Sequence, residues 1–110
     1  KKKKMLFVDG GANTVGIGTG TPGDLLHVTN GDRSVDTRIR LDSFGQLPLI
    51  NIMYAAGTQS SPTAATSGTE IMRLASSPYD GNDYSQSAMN LRVVADADFS
   101  SNSTPAHLAF

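Results

Sequence analysis

The sequence predicts an all-β chain, and three observations predict it. Period-two alternation of apolar and polar residues recurs in short runs bounded by turn residues, the pattern of strands with one covered face. Helix-surface residues are nearly missing: Glu70 is the only glutamate, and no lysine occurs after Lys4. Ser, Thr, Asn and Gly together make up more than a third of the chain, a vocabulary of turns and strands.

In chain order, Met5 to Val8 is the first candidate strand, Thr14 to Ile17 the second and Leu25 to Val28 the third. The turn "DGGANT" joins the first two, and "GTGTPGD" carries the chain to the third. "DTRIRLD" predicts a half-buried strand with Thr37, Ile39 and Leu41 on one face and Arg38 and Arg40 on the other. In "PLINIMYA", Ile50, Ile52 and Tyr54 share one face while Leu49, Asn51 and Met53 share the other, so both faces are expected to be partly covered. Glu70 to Ala75, "SAMNLRVVA" and Ala106 to Phe110 complete the set, with Met89, Leu91 and Val93 opposing Asn90, Arg92 and Val94. The connection from Gly57 to Thr69 is long for a compact domain, and loops of that length are usually functional or disordered.

Leu, Ile, Val and Phe account for 24 of 110 residues, a thin supply for a core. Small domains short of core need disulfides, metals or oligomerisation. Cysteine is absent, and His27 and His107 stand alone with no ligand-like spacing, so oligomerisation is the expected route. Without Lys1 to Lys4 the formal charge falls from −1 to −5, which argues against nucleic-acid binding, since phosphate contacts need a basic surface. The lysine run, residues 1–4, is expected to be a tag or a disordered end. The apolar run Met5-Leu6-Phe7-Val8 is too short for a secretory signal, and no stretch reaches the roughly 20 apolar residues of a membrane-spanning helix, so no membrane insertion is expected.

Glycines at 16, 18 and 20 invite a phosphate-binding reading, but a dinucleotide loop needs a helix after it, and "DLLHV" is too brief for one. A corner built on tight backbone approach is expected instead. The acidic pairs Asp80 with Asp83 and Asp96 with Asp98 belong to turns, and no Gly-x-Ser-x-Gly elbow is present, so no catalytic residues are assigned. "DGND" has oxygen ligands but not the length or closing glutamate of a calcium loop, so no metal site and no cofactor are expected. The cluster Tyr79-Asp80-Gly81-Asn82-Asp83-Tyr84 is different in kind. A ring face covers the apolar side of a pyranose while amide and carboxylate groups hold its hydroxyls. Tyr79, Asp80, Asn82, Asp83 and Tyr84 are therefore the candidate glycan contacts, beside the plainer expectation that the tyrosines pack on neighbouring strands.

The stretch "LFVDGGANTVGIGTGTPGDLLHV" closely resembles a segment of the tail fibres and tailspikes of tailed bacteriophages, through Val15 to Thr19, Pro22 and Leu26 to Val28. "SGTEIMRLASSPYDGNDYSQSAMNLRVVAD" with "SSNSTPAHLAF" is similar to fibre segments with a Gly-x-Asp-Gly-x-x-Tyr turn and a Thr-Pro-Gly/Ala-x-Leu-x-Phe strand. Asp80, Gly81 and Tyr84 match the turn, Pro78 replaces its glycine, and Thr104, Pro105, Leu108 and Phe110 match the strand. The resemblance implies an elongated, intertwined homotrimeric β-rich fibre module, β-prism-like or β-helix-like, of the kind found upstream of an intramolecular chaperone. No chaperone is present, so a fragment or a processed product is expected.

The expected function is therefore structural and host-recognising: a trimeric rod in a phage tail fibre, not an enzyme, that presents adhesive surfaces to host cell-surface polysaccharide. Its implied partners are other copies of itself and other phage tail proteins. Its implied place is the virion, extracellular after release and made in the host cytoplasm. Residues 5–30 form the expected hairpin element and residues 31–110 the β-rich body, with Met53, Met72 and Met89 as candidates to fill an irregular trimer axis. The alternatives are a fragment of a tailspike polysaccharide depolymerase and a fragment of a bacterial trimeric surface adhesin.

Overall fold

A computed structural model describes residues 5–85 and 88–110. The lysine run 1–4 and Ser87, the expected start of the "SAMNLRVVA" strand, lie outside the described residues. The structure is all-β, with eight strands in three sheets and no helix among the described residues. Two compact units divide the chain, Lys1–Leu49 and Ile50–Phe110.

In the first unit, β1 (Leu6–Asp9) and β2 (Thr14–Ile17) pair antiparallel, with Phe7 opposite Gly16 and Asp9 opposite Thr14. Asp9 closes the turn between them: its carboxylate oxygen accepts the amides of Gly11 at 2.9 Å and Ala12 at 3.1 Å, an Asx turn of the kind short acidic side chains favour. β3 (Leu26–Val28) then pairs with β2 in parallel, Gly16 opposite His27. A parallel return normally takes a dozen or more residues; here residues 18–25 suffice because the corner is built on glycine. Gly18 holds φ at 82°, and a Cβ on Gly16 would lie 2.5 Å from the Thr19 carbonyl oxygen and 2.9 Å from the Pro22 ring. The Gly18 amide donates to the Met5 carbonyl at 3.1 Å, and the Gly23 amide to His27 Nδ1 at 3.0 Å. These N–H groups point at protein acceptors, which is the geometry of a corner and not of a phosphate cradle.

"DTRIRLD" and "PLINIMYA" are not strands, contrary to the alternation that predicts them. Alternation states which side chains share a face, but a strand exists only where a neighbour supplies the ladder. Neither segment has a ladder partner among the described residues, and Ile39 is 73% exposed and Ile50 72%. Arg38 and Arg40 pair along the segment with Asp36 and Asp42.

In the second unit, β4 (Ala56–Gly57) and β5 (Pro62–Thr63) form a short antiparallel pair, so the long connection from Gly57 to Thr69 is ordered. Backbone bonds from Gly68 to Ala95 and from Phe99 to Ala65, both 2.8 Å, tie it to the main sheet. That sheet runs β6 (Glu70–Ser76), β7 (Met89–Ala95), β8 (Ala106–Ala109), all antiparallel with β7 central and an irregularity between Glu70 and Met72. Directly opposed residues share a face. Met72, Val93 and Leu108 therefore stand with Leu74, Leu91 and Met89 on one apolar face; Arg73, Arg92, Asn90 and His107 stand on the other.

Almost nothing is interior. Ala65 and Ala95 are the buried hydrophobic residues among those described, while Leu74, Met89, Leu108 and Phe110 are more than half exposed. A compact globule of this mass exposes about 5,800 Å², and two separate globules of half the mass about 7,000 Å²; the chain exposes 9375 Å². Full exposure of four lysines accounts for about 750 Å² at most, leaving roughly 1,600 Å² per chain in excess of even the two-globule case.

Candidate functional site

β6 and β7 are joined through a hairpin whose tip is the tyrosine cluster. Tyr79 and Tyr84 form an antiparallel bridge. Outside it the Ser85 amide donates to the Pro78 carbonyl at 2.9 Å, and inside it the Asp80 amide donates to the Asp83 carbonyl at 2.9 Å. Pro78 lacks an N–H, so it fits here, where only its carbonyl is used. Gly81 takes φ 103°, a conformation open to glycine, and turns the tip.

Asp80 holds the tip together. Its Oδ1 accepts the amides of Asn82 at 2.8 Å and Asp83 at 3.0 Å. Those bonds, the Asp83 amide first and the Asn82 amide next, stabilise the carboxylate and hold its pKa below the ordinary aspartate range. Asp80 thus shapes the turn, and its Oδ1 is occupied by backbone donors.

The two rings meet edge to face, centroids 5.3 Å apart and planes at 65°, a preferred aromatic arrangement. The Tyr79 hydroxyl donates back to the Asn82 carbonyl at 3.1 Å, which locks that ring to the loop it borders. Tyr79 is 57% exposed and Tyr84 73%. The five sequence-predicted residues are therefore brought to one tip, with different parts to play. Tyr79 and Asp80 build it, Tyr84 presents a ring to solvent, and Asn82 and Asp83 are exposed in the same tip. The arrangement suits a flat, hydroxyl-rich ligand: one ring to stack on, one amide and one carboxylate to hold hydroxyls.

The other acidic pair does different work. Asp96 Oδ1 lies 2.5 Å from His107 Nδ1 and ties the segment after β7 to β8, while Asp98 Oδ1 accepts the Ser67 amide at 2.9 Å and ties that segment to the loop before β6. No group of three or more His, Asp or Glu among the described residues is placed to hold a metal ion, and no helix is long and apolar enough to cross a membrane. Sequence reasoning missed the open apolar face of the main sheet. Alternation in "MNLRVVA" marked its two faces, but nothing in the pattern signalled that one stays uncovered. No protein-family model matches the chain, and no curated protein matches it.

Proposed function

We propose that this chain is a structural and host-recognition module of a bacteriophage tail fibre: a homotrimer, without enzymatic activity, that displays the Tyr79–Tyr84 hairpin in three copies to host cell-surface polysaccharide. What supports the assembly is the excess of exposed surface over that of folded chains of this mass, together with the large apolar side chains left exposed, Leu74, Met89 and Phe110 among them. The fibre assignment rests on the resemblance of Val15 to Thr19 and Leu26 to Val28, and of Asp80, Gly81 and Tyr84, to tail-fibre segments.

Three identical hairpins on one assembly turn weak single contacts into useful avidity. A hairpin tied by Asp80 and Tyr79 is ordered before the sugar arrives, so binding costs little loop entropy. The test uses the assembled chain against a panel of immobilised bacterial surface polysaccharides, beside its Tyr84→Ala variant. Saturable binding to at least one polysaccharide, weakened tenfold or more by Y84A at unchanged mass, is expected. Failure to bind any of them, or binding that Y84A leaves intact, contradicts the adhesive role of the hairpin.

A further inference from the structure

Resting on the trimeric reading above, we propose that the apolar face of the β6–β7–β8 sheet is where copies of this chain meet, with Leu74, Met89, Leu91, Leu108 and Phe110 packed against the same face of neighbouring copies. The strand register places Leu74 with Leu91 and Val93 with Leu108, so the face is continuous across all three strands. The charges of the sheet lie on the opposite side. There Arg73 grips Glu70 with two bonds of 2.6 Å, and Arg92 approaches the same carboxylate at 3.8 Å. One sheet therefore carries a face made for water and a face made to be covered.

Only part of the apolar face finds a cover within its own unit. Ile52, Tyr54 and Phe99 border a cavity of about 220 Å³ with Ile71, Met72 and Val93. Beyond them a groove of about 400 Å³ is framed by Leu74, Met89, Leu91 and Phe110, and Phe110 is 90% exposed. A small ligand is a poor occupant, because orientation needs convergent polar groups and, among the described residues, Ser76 and Asn90 are the polar ones that border this groove.

A second copy fits on area. The excess of roughly 1,600 Å² is counted over the whole chain, and it is large enough to hold two half-interfaces of about 800 Å² each, what a chain touching two neighbours in a closed ring buries, of which this face would be part. Its exposed Met89 is also an adaptable side chain suited to an axis where identical surfaces meet imperfectly.

The chain has no cysteine, so single introduced thiols report cleanly. Met89→Cys tests the apolar face, and Ala97→Cys, exposed in the bend after β7, is the control. At concentrations where light scattering gives an assembled mass, the thiol at 89 is expected to react with a small disulfide reagent at least tenfold more slowly than in urea. The thiol at 97 keeps most of its unfolded rate. Leu74→Asp is expected to lower the mass to that of one chain while the Tyr79–Tyr84 hairpin amides keep their shifts. A native trimer in which the thiol at 89 reacts as fast as that at 97, or in which L74D leaves the mass unchanged, overturns the assignment of this face and leaves the trimeric reading standing. A parental chain that is monomeric at all concentrations overturns both.

Discussion

Gly18→Ala separates two costs at the first corner of the chain. Gly18 sits at φ 82°, where an L-residue pays about 1–2 kcal/mol. A Cβ there would also overlap the Thr29 carbonyl oxygen. The two backbones are held close here, because the Thr29 amide is tied to the Ile17 carbonyl at 2.9 Å and the Gly18 amide to the Met5 carbonyl at 3.1 Å. Overpacking of this kind costs about 1–3 kcal/mol. The sum, about 2–5 kcal/mol, corresponds to local opening that is about 30-fold to several thousand-fold more frequent. Amide hydrogen exchange at Val15 and Thr29, measured at one protomer concentration, reads it directly. Gly10→Ala is the control: nothing lies within 4 Å of its Cβ position and its φ is not positive, so a change within about 0.5 kcal/mol is expected. Gly18→Asn tolerates the dihedral but keeps the overlap, so it retains at least about 1 kcal/mol of the loss. Parental exchange rates in G18A refute the account of the corner, and full recovery in G18N refutes the part assigned to Thr29.

At the tyrosine hairpin, Asp80 has a depressed folded-state pKa, so its contribution is complete above the ordinary aspartate value of about 3.9 and is lost as pH falls through the lower folded value. The Asn82 amide resonance is expected to move over that acid window in the parent and to move far less in Asp80→Asn, which keeps an acceptor oxygen but does not titrate. His27→Ala removes the acceptor of the Gly23 amide; the exposed site holds the cost to about 0.5–1.5 kcal/mol, seen as faster exchange at Gly23 with Thr29 little changed. Ala95→Leu places a large side chain at one of the few buried positions, 3% exposed, and about 1–3 kcal/mol of destabilisation is expected from the urea midpoint at fixed protomer concentration.

The parts of the fold that the sequence made legible are those set by local chemistry. "DGGANT" names its own turn because Asp9 satisfies two amides that the bend exposes, and "YDGNDY" does so through Asp80 and Gly81. The parallel partner of β2 was less legible: three residues, Leu26–Val28, carry little pattern, and their pairing depends on a corner whose tightness shows only in the positions of Thr19 and Thr29. Ile39, Leu41, Ile50 and Ile52 mislead for a different reason. Their alternation is the mark of a surface that must be covered, and the chain supplies no neighbouring strand for it among the described residues. The same reasoning extends to Leu74 and Met89, whose pattern is that of a core and whose exposure is that of a surface. The proposed assembly accounts for this, since a chain that folds in several copies would carry core patterning that one copy does not use.

The most direct test of the central claim is the mass of the purified full chain by light scattering across a dilution series. A mass three times 11.6 kDa that persists on dilution is the predicted result, because the exposed apolar faces are then interior. A single-chain mass at every concentration contradicts the account, since it means that a chain exposing 9375 Å² holds its fold with no partner to cover Leu74, Met89 and Phe110.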